Sequence, residues 1–294
     1  MLSLISPAKI NLFLHIIGQR SDGYHNLETI FQLLDFGDTL SFSERADKLI
    51  TLTSNYNDIS MNENLIIKAA ELLRRETGII KGCNIRVNKV IPMGAGLGGG
   101  SSNSATTLLV LNSLWNCGLS LDKLSDLGQT LGADIPVFVK GNTSFAESTG
   151  EILSPLSLPK KWFLVITPSC SISTQEIFSH PQLTRNSSPI KIRALPSGQC
   201  RNDCQKVVIN EYPEVRDVLD WAANFAEPLL TGTGSSVFCK FDNQEEARRV
   251  LIEVPKKWKG FVAKGINRSS VQQQVKDYFN GCLLYTSDAA DEVV

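Results

Sequence analysis

The chain has 294 residues, 42% hydrophobic and 20% charged, with 29 Lys and Arg against 30 Asp and Glu. At roughly 100–200 residues per domain this is one large or two ordinary domains, and a net charge of −1 lacks the basic field on which nucleic-acid binding relies. No apolar run reaches the roughly 18 residues of a membrane span, Met1-Leu2-Ser3-Leu4-Ile5-Ser6-Pro7 lacks the basic start of a secretory signal, and seven cysteines without zinc-site spacing read as free thiols in a cytoplasmic protein.

Between residues 9 and 17, Ile10, Leu12, Leu14 and Ile16 alternate with Lys9, Asn11, Phe13 and His15. This period of two predicts a half-buried strand with Lys9 and Asn11 on the face opposite the aliphatic stripe. A turn cluster, Gly18-Gln19-Arg20-Ser21-Asp22-Gly23, leads to Tyr24 and His25, and strand-like segments follow at 30–34 and 49–52. Residues 64–76 carry Leu65, Ala69, Leu72 and Leu73 at helical spacing ahead of Gly78, predicting a helix with a glycine stop. Ile85 and Val87, set between Asn84, Arg86 and Asn88, mark another half-exposed strand.

Next comes Pro92-Met93-Gly94-Ala95-Gly96-Leu97-Gly98-Gly99-Gly100-Ser101-Ser102-Asn103-Ser104, with an apolar helix predicted over 105–115. Glycines between a strand and a helix let backbone N–H groups approach a ligand, and the helix N-terminus adds partial positive charge. The rigid flanks favour a phosphate cradle over a flexible surface loop, with Ser101, Ser102 and Ser104 as added hydroxyls. No Lys lies in the loop, so the Walker pattern is absent. Gly94, Gly96 and Gly99 fit the dinucleotide G-x-G-x-x-G pattern. The strand before it alternates with Asn and Arg, however, whereas a dinucleotide-binding strand is apolar on both faces. A dinucleotide-dependent oxidoreductase is therefore the weaker reading.

Ser120 caps the next predicted helix, which carries Leu124, Leu127 and Leu131 on one face and stops at Gly132. Asp134 lies just beyond, and Ile135-Pro136 are expected to lead the chain out of the helix. A Ser/Pro/Lys stretch at 154–161 reads as a linker between a first domain, 1–153, and a second, 154–281. The second half predicts a strand at 162–166, a loop-rich region at 179–197 and a helix from Pro213. A second glycine turn, Thr231-Gly232-Thr233-Gly234-Ser235-Ser236, enters a strand at 237–241. Asp242 and Glu245 resemble a capping box for a helix to Leu251, and 261–263 reads as a last strand. Strands and helices packed on one side predict an α+β class. Residues 282–294 begin Cys282-Leu283-Leu284-Tyr285-Thr286, show no period and resemble translated sequencing-adapter sequence. They are expected to be foreign to the natural chain and to pack on nothing.

Three segments in order carry a resemblance: Pro7-Ala8-Lys9-Ile10-Asn11-Leu12, the loop at 92–104, and Leu230-Thr231-Gly232-Thr233-Gly234-Ser235. Together they resemble the motifs of the galactokinase, homoserine kinase, mevalonate kinase and phosphomevalonate kinase superfamily, over about residues 4–267. Gly23-Tyr24-His25-Asn26-Leu27-Glu28-Thr29 and Gly132-Ala133-Asp134-Ile135-Pro136-Val137-Phe138 narrow the resemblance to members that phosphorylate the 2-hydroxyl of 4-diphosphocytidyl-2-C-methyl-D-erythritol. It implies a two-lobed small-molecule kinase fold, with a ribosomal-protein-S5-like N-terminal domain, a ferredoxin-like C-terminal domain and the active site between them. It also implies ATP held by residues 92–102 with Mg²⁺ on its phosphates, Asp134 as general base, and Lys9 orienting it and stabilising the moving phosphoryl group. Tyr24 and Phe178 would sandwich a cytosine whose edge His25 reads, with Asn11 and Thr174 as further substrate contacts. From residues alone, Lys9 and Asp134 fit a structural salt bridge as well, and the turn at 231–236 fits an ordinary tight turn. A non-catalytic sensor relative would be expected to lose the Lys/Asp pair or the glycine loop, and both are present. A monomer or weak homodimer is expected.

Overall fold

The computed structural model describes residues 1–56, 60, 63–190 and 201–288, the segment 281–288 by its backbone alone. A hairpin of two long strands, β1 (Leu2–Gln19) and β2 (His25–Arg45), is followed by β3 (Ile50–Ser54), helix α1 (Leu65–Thr77) and β4 (Gly82–Asn88). Helices α2 (Gly99–Leu114), α3 (Leu121–Gln129) and α4 (Ile135–Lys140) come next, then short strands β5 (Ser144–Glu147) and β6 (Ile152–Pro155). Strand β7 (Trp162–Thr167) precedes helices α5 (Thr174–Ser179), α6 (Gln205–Glu211) and α7 (Pro213–Ala222). Strands β8 (Pro228–Leu230) and β9 (Val237–Phe241), helix α8 (Gln244–Glu253), strand β10 (Lys259–Ile266) and helix α9 (Val271–Asp288) complete the described chain.

The strands join one mixed sheet in the order β3-β4-β2-β10-β7-β9-β8, with β1 and β5 also on β2 and β6 on β5. Among the described strands, β3 and β4 pair parallel and the other neighbours antiparallel. Helices and strands therefore segregate as the α+β class requires. The sheet is continuous because β10 pairs with β7 along its length and with Leu33 and Leu34 of β2 at its end.

Local chemistry explains most elements. Asn64 caps α1 by accepting from Ile66 N–H, and Gly78 closes it at φ 70° in the left-handed region. Ser120 accepts from Lys123 N–H at the start of α3. Four expectations need correction. The glycine loop is shorter than its composition suggests, because α2 begins at Gly99 rather than Ala105. Ile135-Pro136 start a helix instead of ending one: proline lacks only an N–H that the first turn leaves unused. The cap of α8 is Asn243, accepting from Glu246 N–H, one residue beyond the expected Asp242. Finally, α9 stays helical across Gly281 to Asp288, where no period predicts structure. Its start is anchored by buried Val271 and Val275, and extending a docked helix costs less than nucleating one. Residues 191–200 of the expected loop region, and 289–294 of the expected foreign tail, lie outside the described residues.

Two apolar cores flank the site. One packs α1, α2 and α4 on β2 and β4 and includes Val271 and Val275, so the C-terminal helix completes the N-terminal half. The other packs α6 and α7 on β7 and β9. Strand β1 serves both: Leu2 and Leu4 enter the first, Leu14 and Ile16 the second. Between them, Ala8 and Ile10 pack with Ala95, Leu97, Phe163 and Phe238. The expected domain boundary at 153/154 falls inside β6, which pairs with β5.

Candidate active site

The site is organised by irregularities in β1. Its register against β2 shifts between Pro7 and Lys9 and again between Asn11 and Leu14. Bulges of this kind re-aim side chains and release backbone donors from the ladder. The Lys9 N–H turns to Leu97 O of the first glycine loop at 3.0 Å, and the Asn11 N–H donates to Thr231 Oγ1 of the second at 2.9 Å. One strand segment thus grips both glycine turns.

The turns also grip each other. Ser236 N–H donates to Ala95 O at 3.2 Å, and a Cβ placed on Gly96 would lie 2.2 Å from Thr231 O. Gly94, Gly96 and Gly98 have φ of 62°, 75° and 69°, a region that L side chains avoid. Ala95 is outside that region and its methyl is buried among Ala8, Leu97 and Phe238, so alanine fits there. Asn202 holds the second turn from below, donating Nδ2 to Leu230 O and Gly232 O at 2.8 and 2.7 Å.

The loop at 92–101 lines a cleft of about 1020 Å³ that also reaches Lys9, Asn11, Tyr24, His25, Asp134, Thr174 and Phe178. Of the predicted site residues, all but Ser102 and Ser104 therefore line one cavity; Ser104 is fully buried within α2 and does not reach the cleft. Ser102 is fully buried beneath the loop, its hydroxyl 2.7 Å from Ser6 Oγ, and it ties α2 to β1 instead. Lys9 Nζ lies 3.1 Å from Asp134 Oδ2 and donates to Asn11 Oδ1 at 2.8 Å. It also sits 5.2 Å from the Phe31 ring centroid. Asn11 in turn donates Nδ2 to Thr29 Oγ1 at 2.8 Å. Asp134 stands immediately before α4, where the loop after α3 delivers it to the cleft.

At the other end, the His25 ring packs on Phe178 with centroids 5.2 Å apart and planes 33° from parallel. Tyr24 lines the same cavity but stays 66% exposed. Burial and the nearby Arg185 guanidinium push the His25 pKa below its ordinary value. Thr174 and Thr233 hydroxyls lie 3.0 Å apart, joining α5 to the second glycine turn.

Sequence reasoning misses three contributors. Asp38, fully buried, accepts from Val90 N–H and Ile91 N–H at 2.7 and 2.9 Å and from Asn103 Nδ2 at 3.0 Å, and it pairs with Lys89 Nζ. Lys89 also lines the cleft beside Gly99. Arg185 holds His25 from behind. An isolated Asp or Arg in sequence carries no periodic or glycine signal that would mark it.

The dinucleotide alternative fails on topology. The strand leading into the loop, β4, lies antiparallel to β2, whereas that reading needs an open parallel sheet with the ligand at its strand ends.

Family models for the GHMP kinases N terminal domain and the GHMP kinases C terminal match residues 64–142 and 184–260. A 4-diphosphocytidyl-2-C-methyl-D-erythritol kinase of Pseudomonas fluorescens (strain Pf0-1) is 50% identical over 275 residues, 94% of this chain and 97% of the relative. One of Hahella chejuensis (strain KCTC 2396) is 49% identical over 290 residues, 95% and 98% of the two chains. A crystal structure of 4-(cytidine 5'-diphospho)-2C-methyl-D-erythritol kinase is similar at TM-score 0.79 and 29% identity, covering 90% of this chain and 99% of that one. The Methanococcus jannaschii mevalonate kinase, at TM-score 0.65 and 18% identity over 90% of this chain and 98% of its own, shares the fold. The chain belongs to the 4-diphosphocytidyl-2-C-methyl-D-erythritol kinase family within the GHMP kinases.

Proposed function

We propose that this protein transfers the γ-phosphoryl group of ATP to the 2-hydroxyl of 4-diphosphocytidyl-2-C-methyl-D-erythritol, a step of isoprenoid synthesis, directly and without a covalent enzyme intermediate. The observation that carries the reading is the Lys9–Asp134 pair, 3.1 Å apart, in one cavity with the glycine loop and the His25–Phe178 pair. A kinase of this kind has to place a hydroxyl in line with the γ-phosphate and neutralise developing charge. Asp134 takes the hydroxyl proton as the oxygen attacks. Lys9 keeps that carboxylate aimed from 3.1 Å, and offers its ammonium to the phosphoryl oxygens. The amides from Gly94 to Ser101, at the N-terminus of α2, hold the phosphates.

Mg²⁺ is held in such reactions by phosphate oxygens, water and one or two protein oxygens. Among the described residues no cluster of three or more His, Cys, Asp or Glu side chains forms a dedicated cage. Of the hard oxygen donors that line the cleft, the Ser101 hydroxyl on the first turn of α2 fits a cation that arrives with the nucleotide. Bound there, it would offset negative charge on the phosphates.

Tyr24, Phe178 and His25 would hold the cytosine, with Asn11 and Thr174 contacting the rest of the substrate. Among the described residues no helix is long and apolar enough to cross a membrane; we place the enzyme in the cytoplasm, as a monomer or weak homodimer. The test is ADP release with the cytidyl substrate set against mevalonate, homoserine and galactose. Turnover is expected with the first; turnover with another acceptor alone would replace this assignment, and ATP binding without any turnover would make the chain a sensor.

A further inference from the structure

Arg185 lies outside the cleft lining, yet its guanidinium reaches two residues that form it. Nε donates to His25 Nε2 at 3.0 Å, and Nη2 donates to Phe178 O at 2.8 Å and His180 O at 3.0 Å. Nη1 donates to Leu183 O at 3.2 Å. A guanidinium only donates, so the nitrogen it meets must present a lone pair. The His25 ring is then neutral and its proton sits on Nδ1. His25 is 7% exposed, and its ring lies against Phe178, whose carbonyl the same guanidinium holds.

We infer that Arg185 is a positioning residue that locks His25 into the neutral Nδ1–H form and fixes it to Phe178, so that the cleft meets a hydrogen-bond donor on a rigid aromatic pair. Burial disfavours the imidazolium, and Arg185 supplies the charge that acts on the ring. A donor there matches a base whose ring nitrogen is an acceptor. A base carrying N–H at that position would set donor against donor and leave a buried group unpaired. This consequence rests on the cytidyl-substrate reading above: Arg185, acting through His25, separates cytosine from uracil. A mismatch of this kind corresponds to roughly ten- to a hundredfold in kcat/KM.

Two measurements on the full chain test the inference. Long-range ¹H–¹⁵N spectra of the imidazoles, without substrate, should show His25 as the Nδ1–H tautomer and still neutral just below pH 6.5, its ordinary pKa. An Nε2–H tautomer, or protonation at the ordinary value, overturns the inference. The second compares cytidyl and uridyl substrates with Arg185→Met. The variant should lose on the order of tenfold in kcat/KM for the cytidyl substrate, keep its KM for ATP, and narrow the cytidyl preference. A folded variant with full preference refutes the role. If Arg185→Met does not fold, the wild-type spectra decide. If the wild type phosphorylates neither substrate, the proposed function fails, while the spectra still decide the state of His25.

Discussion

Lys9 and Asp134 form an unequal pair: the lysine side chain is 4% exposed and the carboxylate 33%. A buried ammonium beside a reachable carboxylate suits a base that has to meet substrate while its charge is held in place. Asp134→Asn should lower kcat by on the order of 10²–10⁴ with little change in ATP affinity. Lys9→Met should lower kcat as well and also destabilise, since it leaves Asn11 Oδ1 without its donor. Steady-state kinetics beside nucleotide titration measure both. Unchanged kcat in Asp134→Asn would remove the base from this position.

Gly96 and Ala95 make a contrasting pair in the glycine loop. A Cβ on Gly96 meets the Thr231 carbonyl at 2.2 Å from a backbone at φ 75°, so Gly96→Ala has to push the two turns apart. It should cost about 1–3 kcal/mol and raise the KM for ATP. Ala95→Gly keeps the turn, removes one buried methyl and should cost about 1 kcal/mol with near-normal KM. Denaturant unfolding and ATP kinetics on both separate turn docking from general softness; equal behaviour would refute the docking account.

Asp38 has no reacting atom to touch. Its carboxylate joins the chain after β4 to the first turns of α2, accepting from the backbone amides of Val90 and Ile91 and from the Asn103 side chain, and pairing with the Lys89 ammonium. Asp38→Asn keeps one acceptor oxygen but turns an amide group toward Asn103 and the lysine. Breaking a buried pair in this way should destabilise by roughly 3–5 kcal/mol. With the amides at the start of α2 in their proposed phosphate-holding role, the KM for ATP should rise more than kcat falls. A loss of stability with unaltered ATP kinetics would reduce Asp38 to a purely structural brace.

His25 gives the chain a pH signature. Its folded pKa lies below 6.5, so the unfolded chain binds its proton first as pH falls. Protons bound by the unfolded state alone favour unfolding, and stability should therefore fall on acidification from 6.5 toward the folded pKa. His25→Gln removes that contribution. Urea unfolding at about pH 7.5 and about pH 5.5 should show the wild type losing more stability than the variant; parallel losses would refute the burial argument.

The elements legible in sequence are those written in consecutive residues. The Asn64 cap with its Gly78 stop marks α1, the alternation from Lys9 marks β1, and the glycine run before an apolar stretch marks the loop that enters α2. Their signals are local, because caps, periodicity and positive-φ glycines act over one turn or one pleat. Less of the boundaries could be read. The full length of β1 and β2 depends on their pairing with each other, and the helical start of α2 depends on Ser102 docking on Ser6.

Consecutive residues were enough to mark a glycine loop between a strand and a helix, and to name a lysine, an aspartate and aromatic residues as candidates beside it. Where these residues meet is set by the folded chain. The bulges of β1 turn one backbone N–H to each glycine turn, Asp134 arrives through a helix start that looked like a helix end, and Arg185 donates to the ring of a histidine 160 positions away in the chain. Such pairings are fixed by the closing of long loops around two shared cores, and a pattern that repeats every two or every 3.6 residues carries no record of them.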